Sequence, residues 1–196
     1  KAAKDAFETW SSTPFEKRAA CLRKWGTLIG DNAAALIQAE SQDNGKPMSL
    51  AGAVDIPRAQ RNLEFFASAI EHFASESHIP AGPSHIHYTH RKPLGVVGCI
   101  SPWNLPLYLF TWKIAPALAA GNCVIAKPSE ITPVTAWMLS QWANEAGFPK
   151  GVFNVVHGLG PEAGQAIVEH PGIKAISFTG GTSTGAHIAR TTAPQF

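Results

Sequence analysis

Charge is what this sequence has little of. Charged residues fill 15% of its 196 positions, against roughly 25% in a typical soluble domain, while hydrophobic residues fill 45%. Part of the surface is therefore expected to be covered in the complete protein, by further sequence or by other subunits. The basic residues stand singly or in pairs and the formal net charge is +2. That leaves no electrostatic footprint for nucleic acid, and no nucleic-acid partner is expected. Long apolar runs are missing as well: the longest stretch, about Leu105 to Ala120, is interrupted by Pro106, Lys113 and Pro116, so no membrane span is expected. Cysteine is scarce. Cys21, Cys99 and Cys123 form no pattern and leave an odd one over, which fits a reducing compartment and predicts a cytoplasmic location. Low-complexity tracts and internal repeats are absent too.

What remains is long enough to bury a sizeable core. Residues 1 to about 76 read as helices. Ala3, Phe7 and Trp10 recur at helical spacing, Ser12-Thr13-Pro14 has the form of a cap launching Phe15 to about Ile29, and Asp31 is expected to cap a third helix ending near Asn44-Gly45. A fourth is expected from about Leu50 to Ala74. Amphipathic helices of mixed charge usually just cover a sheet, so this half reads as scaffold. Pro80 to Pro83 forms a turn cluster, and the alternation over about 84–91 predicts a polar strand. His85 and His87 would share one face of it and His90 the other, with no carboxylate or thiol nearby to complete a metal shell; no metal is expected.

From Leu94 the rhythm changes. Strands are expected at about 94–100, 122–126, 152–156 and 174–178, alternating with helices at about 106–120, 132–146, 160–169 and 182–190. Repeated βα units of this kind feed a parallel sheet, and right-handed crossovers make it a doubly wound, Rossmann-like α/β fold. The organising stretch is Leu94 to Leu107. Its β-branched run ends abruptly at Ser101-Pro102, because proline cannot donate to a ladder and restricts the residue before it. A loop then presents Trp103 and Asn104. The next strand delivers Lys127 and Glu130 to the same edge, where open α/β sheets bind ligands.

Each of these residues has two readings on spacing alone. The Asn104 amide can hold an oxygen on which negative charge develops, or merely cap the loop before Pro106. Glu130 can accept from ribose hydroxyls and repel a 2′-phosphate, favouring NAD over NADP, or form a surface salt bridge with Lys127. Two glycine turns compete for a pyrophosphate. Gly158 to Ala163 matches the dinucleotide fingerprint in its permissive form, and Gly180 to Gly185 also stands between a strand and a helix, where backbone N–H groups receive phosphate.

Ser101-Pro-Trp-Asn-Leu-Pro106, Trp112-Lys113 with Pro116 to Asn122, Lys127-Pro-Ser-Glu130, Glu145 to Pro149 and Phe178-Thr-Gly-Gly-Thr182 together resemble the aldehyde dehydrogenase superfamily, in order and at its spacing. The match runs from about Phe7 to the C-terminus. Wording around Thr89 to Pro93 and Ile100 to Leu107 is similar to the 2-aminomuconic and 2-hydroxymuconic semialdehyde dehydrogenase branch.

The resemblance implies NAD-dependent oxidation of an aldehyde to a carboxylate, with NADP open because the family has members of both kinds. It assigns Asn104 to the oxyanion. Ile100, Ser101, Pro102, Trp103 and Asn104, then Lys127, Ser129 and Glu130, and finally Gly158, Gly180, Gly181, Thr182 and Gly185 become the cofactor-binding set. The second glycine turn is placed by pyrophosphate and nicotinamide, the first against the adenosine. Gly181 departs from the family, which commonly carries serine there. The segment at about 84–91 corresponds to a part of the family that helps build its oligomerisation region, so a homo-oligomer, dimer or tetramer, is expected.

The family's chemistry also needs a cysteine thiolate and a glutamate that activates water. Both follow the last residue of this chain. Cys21, Cys99 and Cys123 read as small buried hydrophobes, and Glu145, Glu162 and Glu169 do not match the general-base motif. The chain is therefore expected to be an N-terminal, cofactor-binding portion, with the catalytic domain outside it and no turnover of its own. The rivals are a free-standing nucleotide-binding or interaction module, and an ordinary Rossmann dehydrogenase using only the 158–163 turn.

Overall fold

In the computed structural model, which describes residues 1–82 and 85–195, helices α1 (Ala2–Ser12), α2 (Phe15–Asp31) and α3 (Ala33–Asn44) open the chain. α4 (Met48–Leu50), a π turn (Ala51–Asp55) and α5 (Ile56–Glu71) follow without a break. Trp10 and Trp25, both fully buried, tie these helices to the rest. The Trp10 indole N–H donates to the Leu118 carbonyl at 3.3 Å and that of Trp25 to the Leu139 carbonyl at 3.0 Å. The Trp25 ring lies 4.9 Å from both Phe148 and Phe153, in the tilted and edge-on geometries that aromatic quadrupoles favour.

Four helical expectations need correction. Ser12 and Thr13 do not cap α2: their hydroxyls turn back to carbonyls of α1, and Pro14 takes the N-cap position. Asp31 belongs to the end of α2, and Asn32 stands between α2 and α3, its amide donating back to the Leu28 carbonyl. The helix expected over 50–74 starts at Met48, contains the π turn and ends at Glu71. The helix expected over 132–146 regular only over α7 (Val134–Gln141), with hydrogen-bonded turns beyond it.

The polar strand is shorter than expected. Among its described residues only β2 (His87–Tyr88) is paired as strand, antiparallel to β1 (Ser77–His78), which the alternation did not announce. Pro83 and Ser84 lie outside the described residues. The histidine rings pack on one another, His78 stacked on His87 and His85 edge-on to it, and among the described residues no group of three His, Cys, Asp or Glu side chains could hold a metal.

The sheet is as expected. β3 (Val96–Ile100), β4 (Cys123–Lys127), β5 (Phe153–Val155) and β6 (Ile173–Phe178) are all parallel, in the order β5-β4-β3-β6. α6 (Pro106–Ala119) connects β3 to β4 and α7 connects β4 to β5; a π turn (Gly160–Gly164) with α8 (Gln165–Glu169) then carries the chain back across to β6, followed by α9 (Thr182–Thr192). Cys99 faces Lys113 of α6, whereas a Cβ on its neighbour Gly98 would lie 2.5 Å from Ile167 of α8. Successive strand residues point to opposite faces, so α6 and α8 cover opposite faces of one sheet. Strand order reverses between β3 and β6, and a reversal of this kind leaves a crevice beyond the strand ends. Among the described residues no helix is long and apolar enough to cross a membrane.

Candidate functional site

Register brings the expected residues to one end of the sheet. Ile100 pairs with Lys127 on one side and with Phe178 on the other. Just beyond, the Ser101 N–H donates to the Lys127 carbonyl at 3.1 Å and the Thr179 N–H to the Ile100 carbonyl at 3.2 Å. Four exits therefore stand in a row: the Gly158 turn after β5, Lys127 to Glu130 after β4, Ser101 to Asn104 after β3, and Thr179 to Gly185 after β6. Three inter-strand gaps make the row about 14 Å long. The Asn104 loop and the Gly180 turn flank the point where strand order reverses.

The exits differ in exposure. Ser101 is buried, and its hydroxyl finds no hydrogen-bond partner among the described residues. Pro102 is half-buried, while Trp103 and Asn104 are exposed. Lys127 is 2% exposed, and its Nζ donates to the Pro128 carbonyl at 2.9 Å and to Glu130 Oε2 at 3.1 Å. It is thus a support for Glu130 more than a free surface cation. The Glu130 carboxylate is held below its usual range by its own backbone N–H, by the Lys127 ammonium and by the Gly160 N–H, against some desolvation. Ser129 is buried, its hydroxyl accepting the Ile131 N–H at 3.3 Å.

The first glycine turn is built onto this pair. Gly158 adopts φ 144°, which L side chains rarely adopt, and the π turn that follows brings the Gly160 N–H to Glu130. The second turn is bare. Gly180, Gly181 and Thr182 are exposed, Gly185 is half-buried, and Gly181 sits at the N-cap of α9 without a side chain. The first N–H groups of a helix have no intrahelical partner. A Cβ on Gly181 would meet nothing within 4 Å, whereas one on Gly180 would strike the Phe178 ring at 2.4 Å.

Several residues of this site escaped the sequence reading. The helices before residue 76 are expected to be scaffold, yet the C-terminal end of α3 and the two residues after it grip the β3 exit. The Asn44 amide donates to the Trp103 carbonyl at 2.6 Å, and Lys46 Nζ donates to the Asn104 carbonyl at 3.0 Å. Lys46 also pairs with the fully buried Asp55 at 2.8 Å. One turn earlier, the Glu40 carboxylate accepts the Leu107 N–H at the start of α6 and the Thr135 hydroxyl of α7, and Asp43 accepts the Val134 N–H at the start of α7. Carboxylates at helix N-termini satisfy free donors and complement the positive end. The polar run Glu40 to Lys46, over the end of α3 and the two residues after it, was the available signal.

The cysteines do not form a nucleophilic site. All three are free; Cys99 and Cys123 are buried and Cys21 is half-buried. Burial pushes the Cys99 thiol up to about 12 and the Cys123 thiol up to about 11.

These features define an α/β unit of the Rossmann-like kind, with the Asn104 loop and bare backbone donors beside a strand-order reversal and a carboxylate at the next strand exit. Within that class the chain belongs to the aldehyde dehydrogenase family, whose profile matches residues 1–196. The chain is 51% identical over 195 residues to a human 2-aminomuconic semialdehyde dehydrogenase, covering 100% of itself and 40% of that protein. It is 46% identical over 188 residues to a 2-hydroxymuconic semialdehyde dehydrogenase of Pseudomonas sp. (strain CF600), covering 94% and 39%. A solved NAD+ complex of an aldehyde dehydrogenase from Bacillus cereus superposes with a TM-score of 0.95 at 40% identity, over 99% of this chain and 40% of that one. The chain thus spans about 40% of the length of the relatives it matches.

Proposed function

We propose that the protein to which this chain belongs oxidises an aldehyde to a carboxylate with NAD, and that these residues form the N-terminal part of its cofactor-binding domain. The observation that carries this reading is the row of four strand exits, which offers an extended dinucleotide a carboxylate at the β4 exit and helix N–H donors at the β6 exit. The exits fit the cofactor: among the described residues nothing fills the space beside Gly181 and the Ser101 hydroxyl has no partner. Glu130 would receive the adenosine ribose hydroxyls, and its ionised carboxylate disfavours a 2′-phosphate, which supports NAD over NADP. The Gly180 to Gly185 turn would receive the pyrophosphate. When bound, NAD supplies the hydride acceptor.

Asn104 supplies two neutral amide donors from an exposed loop beside the strand-order reversal. Donors fixed in advance where negative charge develops lower the barrier without reorganising. The thiolate and the general base belong, in this reading, to the part of the relatives that this chain does not span.

The similarity to semialdehyde dehydrogenases of the muconic kind makes such a semialdehyde the first substrate to try. A cytoplasmic location is supported by three unpaired cysteines. Self-association is supported by the exposed Ile79, Ile86 and Tyr88 in and beside the β1–β2 ribbon.

The test is NADH formation at 340 nm by the full-length protein with a muconic-type semialdehyde and a panel of simple aldehydes. Rapid NAD reduction is expected, with the isolated 196 residues giving none. Asn104→Ala should lower kcat by about 10²–10³-fold while NAD affinity stays within a factor of about two. A full-length protein that reduces NAD with no aldehyde on the panel overturns the reading.

A further inference from the structure

Resting on that reading of Asn104, we propose that Lys46, anchored by Asp55, is a positioning residue that sets where the Asn104 amide stands. The β3 exit has no regular structure between Ile100 and Pro106, so nothing in the sheet ladder fixes the peptide planes around Asn104. Two side chains do so instead. Asn44 holds the Trp103 carbonyl and Lys46 holds the Asn104 carbonyl. They stand on either side of Gly45, whose φ of 81° turns the chain at the end of α3. Gripping two successive carbonyls fixes the plane between them and the plane that follows. The Asn104 side chain springs from the α-carbon that joins those planes.

The anchor has a cost that packing alone does not explain. Asp55 is fully buried, and among the described residues only one of its carboxylate oxygens has a hydrogen-bond partner, Lys46 Nζ at 2.8 Å. Apolar residues of similar size often fill such a place at no loss of stability. A lysine held by a buried carboxylate, however, has lost the freedom of its long stem, so its remaining donors point in set directions. One of them reaches out of the helical layer to the Asn104 carbonyl at 3.0 Å. Catalytic geometry is sensitive on this scale, since a displacement of about 1 Å in a reacting group can cost about a hundredfold in rate.

The experiment uses the full-length protein and two variants. Lys46→Met combined with Asp55→Asn removes both charges together, so that no buried charge is stranded. Lys46→Arg keeps the pair with Asp55 but alters the reach to the Asn104 carbonyl. For each, kcat with aldehyde and the Kd for NAD are measured, alone and in an Asn104→Ala background. The expected result is a fall in kcat of about tenfold or more for the charge-free pair and about threefold or more for Lys46→Arg, with NAD affinity within a factor of about two. In the Asn104→Ala background both losses should shrink to less than about twofold, because the residue through which Lys46 acts is gone. Soluble variants with unchanged kcat overturn the proposal. So does a loss that persists in full without the Asn104 amide, or an insoluble charge-free pair beside a Lys46→Arg enzyme of normal kcat. If the unmodified protein oxidises no aldehyde, it is the proposed function that fails; if it does and these variants are silent, only the role of Lys46 fails.

Discussion

The Glu40 carboxylate accepts the Leu107 backbone N–H at 3.1 Å, where α6 begins, while its other oxygen receives the Thr135 hydroxyl at 2.6 Å. One fully buried side chain of α3 thereby joins the starts of the two helices that cross from β3 to β4 and from β4 to β5.

That position makes Glu40 a source of pH dependence. Burial pushes its carboxyl up to about 7 from an ordinary 4.5, with Asp55 adding to the rise and the Thr135 and Leu107 donors and Lys46 opposing it. Between those two values the folded state binds more protons than the unfolded one, so stability falls as pH rises through the window. Over the full shift the loss is roughly 3 kcal/mol. Glu40→Gln keeps an acceptor for Leu107 and removes the titration. Urea unfolding at pH 4.5 and pH 8 should show the unaltered protein losing stability relative to this variant, and parallel behaviour of the two would count against a strongly raised Glu40.

Glu130 offers a test of cofactor placement. Its carboxylate is the acceptor that ribose hydroxyls would meet, and Lys127 is the poorer target because its Nζ also holds the Pro128 carbonyl. Glu130→Ala should weaken NAD binding about tenfold, equivalent to about 1.4 kcal/mol, and should narrow any preference over NADP, because the repulsion of a 2′-phosphate goes with the carboxylate. Titration calorimetry with both cofactors measures this. Unchanged NAD affinity would favour a site built on the Gly158 turn alone.

The buried thiols make a third prediction. Nucleophilic reactivity belongs to the thiolate, and with burial holding Cys99 near 12 and Cys123 near 11, neither should react with a thiol reagent at pH 8 until the protein unfolds. All three cysteines should label in denaturant. Labelling of Cys99 in the folded protein would show that the α6 face of the sheet opens readily.

How much of this could be read beforehand depended on how local the cause was. β3 and β4 came within one or two residues because their β-branched runs and the breaks at Ser101-Pro102 and Lys127-Pro128 are local signals, and right-handed crossover then sets the order of exits. The π turn at 51–55 and the end of α5 at Glu71 have no such signal. β1 escaped because two exposed residues become a strand only by meeting Tyr88 and His87. The sharpest failure was functional: Glu40, Lys46 and Asp55 looked like ordinary helix polarity, since a buried charge is recognisable only once its partner, 9 to 95 residues away, is known.

The departure at Gly181 gives the last prediction. The aldehyde dehydrogenase resemblance implies serine where this chain has glycine, and a glycine at this N-cap could mean either that the turn has no room for a side chain or that it has no need of one. Geometry favours the second: a Cβ there meets nothing within 4 Å and φ is −63°, a backbone any residue adopts. Serine is also among the preferred N-cap residues, worth a few tenths of a kcal/mol over glycine to a helix such as α9. Gly181→Ser should therefore fold normally and bind NAD about two- to threefold more tightly, the hydroxyl adding one donor beside the helix N–H groups. Gly180→Ala is the matched opposite, because its Cβ would lie 2.4 Å from the Phe178 ring and must displace either the ring or the turn. It should weaken NAD binding severalfold. Isothermal titration of the two variants decides the matter: equal affinities would mean that the cofactor's phosphates do not rest on this turn.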